Sequence, residues 1–217
     1  MGRTVVINEQ QYKKLFNLNE ARKEGFRLDM LKGKPFIAKD LYLSEYLGKP
    51  IGRGSSRWVY QIDDWTVLKL AVNDKGYAQN EAEYTMMRDN FIPILPKLYN
   101  GTDEVDYEWI ITDYVLPAKS ADFKKEFGIP FKVVQEYCDA ARGIINNRFP
   151  DNRRYFYDKY ENNDNLIEFF SAIDDYVGSY DGNPGDLKRI CNWGLSKDGV
   201  VILDAGFTED VRKQYYS

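Results

Sequence analysis

Asp186-Leu-Lys-Arg-Ile-Cys-Asn192, followed after a short turn by Val200-Val-Ile-Leu-Asp204-Ala-Gly206, is the stretch that decides how this chain reads. An aspartate opens a polar loop, an amide follows it, and a run of four apolar residues ends on Asp-x-Gly. An apolar run of that length between turn signals predicts a buried strand, so Asp204 leaves the core at a strand end and is not readily read as plain surface. That is the order of groups with which a phosphotransferase holds a hydroxyl, a Mg²⁺ ion and the phosphates of ATP. The upstream half should then supply a glycine-rich loop, a lysine on a strand and a glutamate on a helix.

Upstream, Gly52-Arg-Gly54-Ser-Ser-Arg57-Trp-Val59 lies between two strand-like runs. Glycines there let backbone N–H groups approach phosphate oxygens that a Cβ would obstruct, and Val59 would roof an adenine pocket. Arg57 could contact phosphates or block them. Trp58–Ile62 and Thr66–Ala71 flank Asp63-Asp64-Trp65 and predict a hairpin. Lys69 is a charge inside the second of these apolar runs. A buried ammonium needs a partner, and the helix predicted over residues 77–90 offers Glu81 and Glu83. Glu83 is favoured because Met87, one turn on, would face the strands with it. Trp109–Val115 predicts a further strand, whose end could offer the Asp113 carbonyl and the Val115 amide to adenine.

The flanks complete the pattern. Asn8 and Glu9, with Tyr12, Leu15 and Phe16, predict a capped helix over residues 9–24, and a second short helix is expected near 38–46. After a hinge near Leu116–Ser120, Val134, Tyr137, Cys138, Ala141, Ile144 and Ile145 form one helical stripe. Leu166, Phe169, Phe170, Ile173 and Val177 form another, with Asp164 as its cap. A polar stretch over residues 148–163 joins the two, and short strands near 193–195 and 200–204 close the pattern.

Residues 46–207 in this order resemble the protein-kinase-like superfamily, in the form of a divergent, compact phage or bacterial member. The resemblance implies an α+β, bilobal fold: an N-terminal helical extension (1–45), a β-rich N-lobe (46–116) and a reduced helical C-lobe (117–217). It assigns Gly52, Gly54 and Val59 to the nucleotide loop and Lys69 to the phosphates, with Glu83 (or Glu81) as its partner. Asp113 and Val115 become the hinge, Asp186 the catalytic aspartate, and Asp204 the Mg²⁺ ligand, joined by Asn192. The cofactors implied are ATP and Mg²⁺.

Several features depart from that family. Pro184-Gly185 stands where His-Arg is usual, Ala205 replaces the Phe of the Asp-x-Gly triplet, and Arg57 replaces the third loop glycine. Asn192 falls six residues after Asp186, one more than the usual spacing, with Cys191 in the expected slot. Thirteen residues follow Asp204, so a conventional activation segment is not expected.

Composition narrows the chemistry further. The 217 residues contain no histidine, which removes imidazole acid–base chemistry and His-ligated metals. A net charge of −4 argues against a nucleic-acid binder, although Arg148–Tyr160 is a local basic, aromatic stretch. Cys138 and Cys191 form no disulfide framework. No apolar run approaches a membrane span, and Val6 breaks the acylation pattern that Met1-Gly2 begins, so a cytoplasmic protein, host-cytoplasmic if phage-encoded, is expected. The expected function is transfer of the ATP γ-phosphate to a Ser/Thr hydroxyl of a protein substrate. The rivals are a pseudokinase that binds nucleotide or a partner without turnover, and a small-molecule kinase.

Overall fold

The structure is a computed structural model that describes residues 25–88, 92–99, 107–145 and 152–216. The helix expected over 9–24, and Arg148, lie outside them. The described residues form a mixed α+β protein with seven α-helices and two antiparallel sheets.

The larger sheet runs β1 (Gly52–Arg53), β2 (Arg57–Gln61), β3 (Thr66–Ala71) and β4 (Trp109–Asp113) in sequential order. Asp63 builds the β2–β3 turn: one carboxylate oxygen accepts from the N–H groups of Trp65 and Thr66 at 2.8 and 2.7 Å and from the Thr66 hydroxyl at 2.9 Å. That local bonding sets the register Val59–Lys69–Ile110 across the three central strands. Side chains alternate along a strand. Trp58, Tyr60, Leu68, Leu70, Trp109 and Ile111 therefore share one face and pack with Phe26, Leu31 and Leu43 in a hydrophobic cluster. Arg57, Val59, Val67, Lys69 and Thr112 share the other.

Helix α1 (Phe36–Leu47) contributes Leu43 to that cluster and runs through residues 45 and 46, so the chain before residue 46 builds the same core as the sheet. Lys39 on α1 forms a buried ion pair with Glu108 at the entry to β4, and the Tyr60 hydroxyl donates to Asp40 at 2.6 Å. Helix α2 (Asp74–Arg88) connects β3 to β4 and lies on the opposite face.

The second hydrophobic cluster belongs to α3 (Ser120–Phe127), α4 (Phe131–Ile145), α5 (Arg153–Lys159) and α6 (Asp164–Tyr180). The expected stripes face inward: Val134, Tyr137, Cys138 and Ala141 from α4 meet Leu166, Phe169, Phe170, Ile173 and Val177 from α6. The rings of Tyr137 and Phe170 stack at 4.0 Å. Helix α6 is capped by Asn163 rather than Asp164: the Asn163 side chain accepts from Leu166 N–H at 3.2 Å, and Asp164 is the first helical residue. The stretch expected as a polar connector holds α5, whose Arg153 is tied to Asp174 at 3.0 Å.

The smaller sheet is β5 (Leu116–Pro117), β6 (Trp193–Ser196) and β7 (Gly199–Ile202). Residues 116–118, within the stretch expected as a hinge, are paired: Leu116 and Pro117 face Leu195 and Gly194, and Ala118 N–H donates to Trp193 C=O at 2.9 Å. Only Tyr114 and Val115 separate the two sheets along the chain. Helix α7 (Glu209–Tyr215), capped by Thr208, packs against α2. No helix among the described residues is long and apolar enough to cross a membrane.

Candidate functional site

A cavity of about 510 Å³ opens where the cavity face of the larger sheet meets the segment around β6 and β7. Gly52, Gly54, Val59, Lys69, Asp113, Val115, Asn192 and Asp204 all line it. Its walls are largely apolar near Ile51, Val59, Val67, Val115 and Leu203 and charged at the end held by Lys69 and Asp204.

Lys69 points into this cavity because the β3 alternation puts it beside Val67, away from Leu68 and Leu70. It is 5% exposed and forms an ion pair with Glu83, and its Nζ donates to Leu203 C=O at 3.0 Å. Glu83, on α2, is fully buried and Met87 one turn on is buried as well, whereas Glu81 is exposed. The partner of Lys69 is therefore Glu83. Asn80, one turn before it, donates to the Tyr107 carbonyl at 2.9 Å, which ties α2 to the entry of β4.

Asp204 emerges just beyond β7 with its side chain 47% exposed. The turn that carries it is wedged against α2: a Cβ at Gly206 would overlap the Gln79 backbone carbonyl, so only glycine fits there. The fully buried Tyr176 of α6 donates its hydroxyl to Ala205 C=O at 3.1 Å and holds the same turn from the opposite side. Neither contact has a signal in the local sequence. Tyr176 sits three residues after Ile173 and next to Val177, so its place on the buried stripe was legible, but not the target of its hydroxyl.

The glycine-rich loop is a tight turn. Gly54 N–H donates to Arg57 C=O at 2.8 Å, while the carbonyls of Ser55 and Ser56 accept from Asn73 Nδ2 at 2.9 Å and Val72 N–H at 2.8 Å. The Gly54 amide is thus engaged inside the turn. Arg57, the residue in the third glycine position, is buried and bridges two carboxylates, Glu83 and Asp204. Burial works against its cation, but the charges of Asp204 and Glu83 outweigh that and raise its pKa. A period-two reading back from Val59 would have placed Arg57 on the Lys69 face.

At the other end of the cavity, the Asp113 carboxylate accepts from Lys97 N–H at 2.8 Å and the Tyr99 hydroxyl at 2.7 Å, a fastening role for the side chain. Among the described residues the Val115 N–H donates to no carbonyl, and Val115 lines the cavity.

Asp186 is not among the lining residues; it lies just behind them, opening a 3₁₀ turn over Asp186–Lys188. A second such turn, Ile190–Asn192, follows and ends on Asn192, which lines the cavity. The Asn192 amide donates to the Asp186 carbonyl at 2.9 Å, and Leu203 N–H donates to Asn192 C=O at 2.7 Å, so the loop is latched to the β7 end that carries Asp204. Burial, reinforced by the Asp204 charge, raises the Asp186 pKa above its ordinary value.

Among the described residues no group of three or more His, Cys, Asp or Glu side chains is arranged to hold a metal on its own. Mg²⁺ needs fewer protein ligands than that, because it keeps waters and takes one or two carboxylates together with substrate phosphates. The half-exposed Asp204, with the Asn192 amide on the same cavity wall, fits a cation that arrives with phosphate.

No family model matches this chain, and no curated protein or solved structure matches it. The fold and the site define an α+β protein with a cavity apolar at one end and, at the other, a buried lysine–glutamate pair beside an aspartate.

Proposed function

We propose that this cavity is a Mg·ATP site, and that the chain is a compact, kinase-like phosphotransferase acting on a Ser/Thr hydroxyl of a protein. The observation that carries the reading is the buried Lys69–Glu83 pair, aimed into a cavity that Asp204 also lines. A buried ammonium held by a buried carboxylate is costly to build, and its placement at the polar end of an otherwise apolar cavity suits an anion whose other half is a flat, apolar ring. The volume falls within the ordinary range for small-molecule sites. The bilobal reading has the same support: the sheet with α1 and α2 forms one lobe, the helical cluster the other, and Tyr114–Val115 links them.

Each residue then has a distinct task. Val59, Val67 and Val115 hold the adenine, with the Val115 N–H as a hydrogen-bond donor to it. Lys69, fixed by Glu83, neutralises phosphate charge, which is the main lever in phosphoryl transfer. Asp204 and Asn192 would hold the Mg²⁺, which supplies charge neutralisation across the phosphates when bound. Asp186 orients the incoming hydroxyl and accepts its proton; a raised pKa makes a carboxylate a better proton acceptor.

The ion pair between Arg57 and Asp204 favours a second reading, a nucleotide-binding module that does not turn over, because it occupies an oxygen of the metal-binding carboxylate. Incubation with Mg²⁺ and γ-labelled ATP, with and without a cell lysate, separates the two. Label transfer that falls at least about 100-fold in both Lys69→Ala and Asp204→Ala supports the enzyme. Thermal stabilisation by ATP without transfer supports the module. Absence of both responses in the wild type would rule out the site.

A further inference from the structure

Arg57 is one cation more than the site just described requires. It stands at the first position of β2, two residues before Val59 and therefore on the cavity face. Its Nη1 contacts Glu83 and donates to Asn80 Oδ1 at 3.2 Å, and its Nη2 contacts Asp204 Oδ1. The two ends of this bridge are unequal. Glu83 and Asn80 are fully buried, so the Nη1 end is locked against α2. The Asp204 side chain is 47% exposed, so the Nη2 end meets a carboxylate open to the cavity and to exchange.

We infer that Arg57 is a built-in counter-cation: it occupies the Asp204 carboxylate in the nucleotide-free protein and turns to the polyphosphate when Asp204 takes up a divalent cation. This rests on the Mg·ATP reading of the cavity. A guanidinium and a divalent cation compete for the same carboxylate oxygen, and like charges packed around one carboxylate repel each other. The repulsion is relieved when an anion enters with the metal, and a planar guanidinium suits phosphate oxygens as well as it suits a carboxylate. Anchored through Nη1, the freed edge stays among the residues that line the cavity, beside Lys69 and the turn at Gly54. The consequence is selectivity: the protein alone discriminates against bare divalent cations, and metal and nucleotide enter together.

Removing the arginine separates these effects with opposite signs, which a purely structural role would not do. With the full chain and no nucleotide, Mn²⁺ binding is read from the electron paramagnetic resonance signal of the free ion. Arg57→Ala is expected to bind Mn²⁺ about tenfold more tightly than wild type, and the gain should vanish when Asp204→Asn is added. The same Arg57→Ala protein should bind Mg·ATP about tenfold more weakly, the scale of one lost charged hydrogen bond, with Arg57→Lys intermediate in both assays. Unchanged or weaker Mn²⁺ binding in Arg57→Ala, or a gain that survives the Asp204→Asn change, overturns the inference. If Arg57→Ala does not fold, ¹⁵N-arginine spectra of the wild type decide. The Arg57 side-chain signal, assigned by its loss in Arg57→Lys, should shift with saturating Mg·ATP, and a signal that stays in place overturns the idea. Tighter Mn²⁺ binding in Arg57→Ala, with no Mg·ATP binding by any form, would support arginine competition at Asp204 while overturning the nucleotide reading.

Discussion

Arg57 and Lys69 bring two positive charges to a single buried carboxylate, Glu83, and Asp204 supplies the second negative charge that balances them. Asp186 stands just outside this balance and bears its cost: it is partly buried and feels Asp204 as a like charge. In metal-free buffer the ¹³C carboxyl signal of Asp186 is expected to titrate with a midpoint above the ordinary aspartate value of about 3.9. Asp204→Asn should lower that midpoint only in part, since burial remains when the charge goes. The folded protein holds this proton more tightly than the unfolded chain does. The stabilising contribution of Asp186 is therefore complete below the unfolded value and is lost as pH rises through the folded one. A midpoint at or below the ordinary value would contradict the geometry. At this scale the sequence exposed Lys69 and Asp204, because a charge within or at the end of an apolar run stands out. It favoured Glu83 over Glu81 through the position of Met87 one turn on, and packing puts Glu83 against Lys69 and leaves Glu81 exposed.

Helices α4 and α6 were legible because each carries five or more apolar residues at helical spacing, enough for the period to emerge. The short helices α5 and α7, of seven residues each, offer too few repeats to reveal one. The cap of α6 lies one residue before the expected Asp164: Asn163 and Asp164 are both good capping residues, and the choice between them is made by what else they reach. Asn163 caps Leu166 and also donates from Nδ2 to the Phe127 carbonyl at 2.9 Å, linking the start of α6 to the end of α3. Asn163→Ala is expected to cost about 1–2 kcal/mol in urea unfolding. Asn163→Asp, which keeps the acceptor and loses the donor, should cost less. Equal losses in the two variants would show that the cap contributes nothing beyond the bond to Phe127.

At the scale of the described residues, two separate hydrophobic clusters are joined by a polar seam on the cavity face of the larger sheet, and Glu83 is its hub: α2 carries it, and its partners sit on β2 and β3, one of them bridging to Asp204. Glu83→Gln leaves two buried cations facing a neutral amide and is expected to destabilise the protein by about 3–5 kcal/mol, measured by urea denaturation. A loss below about 1 kcal/mol would mean that the seam is solvated in solution and the pair does not hold it closed. The chain alone was enough to show the longer helices and strands in their order, the absence of histidine, and Lys69 and Asp204 as charges within or at the end of apolar runs. These follow from local periodicity and from composition, which need no knowledge of distant neighbours. The arginine laid across Glu83 and Asp204, the tyrosine holding the Ala205 carbonyl, the glycine forced by the Gln79 backbone and the helix α1 completing the sheet's core were settled only in three dimensions. Each depends on groups far apart in sequence, and the free energy of burying a charge or fitting a backbone is set by what lies across the gap.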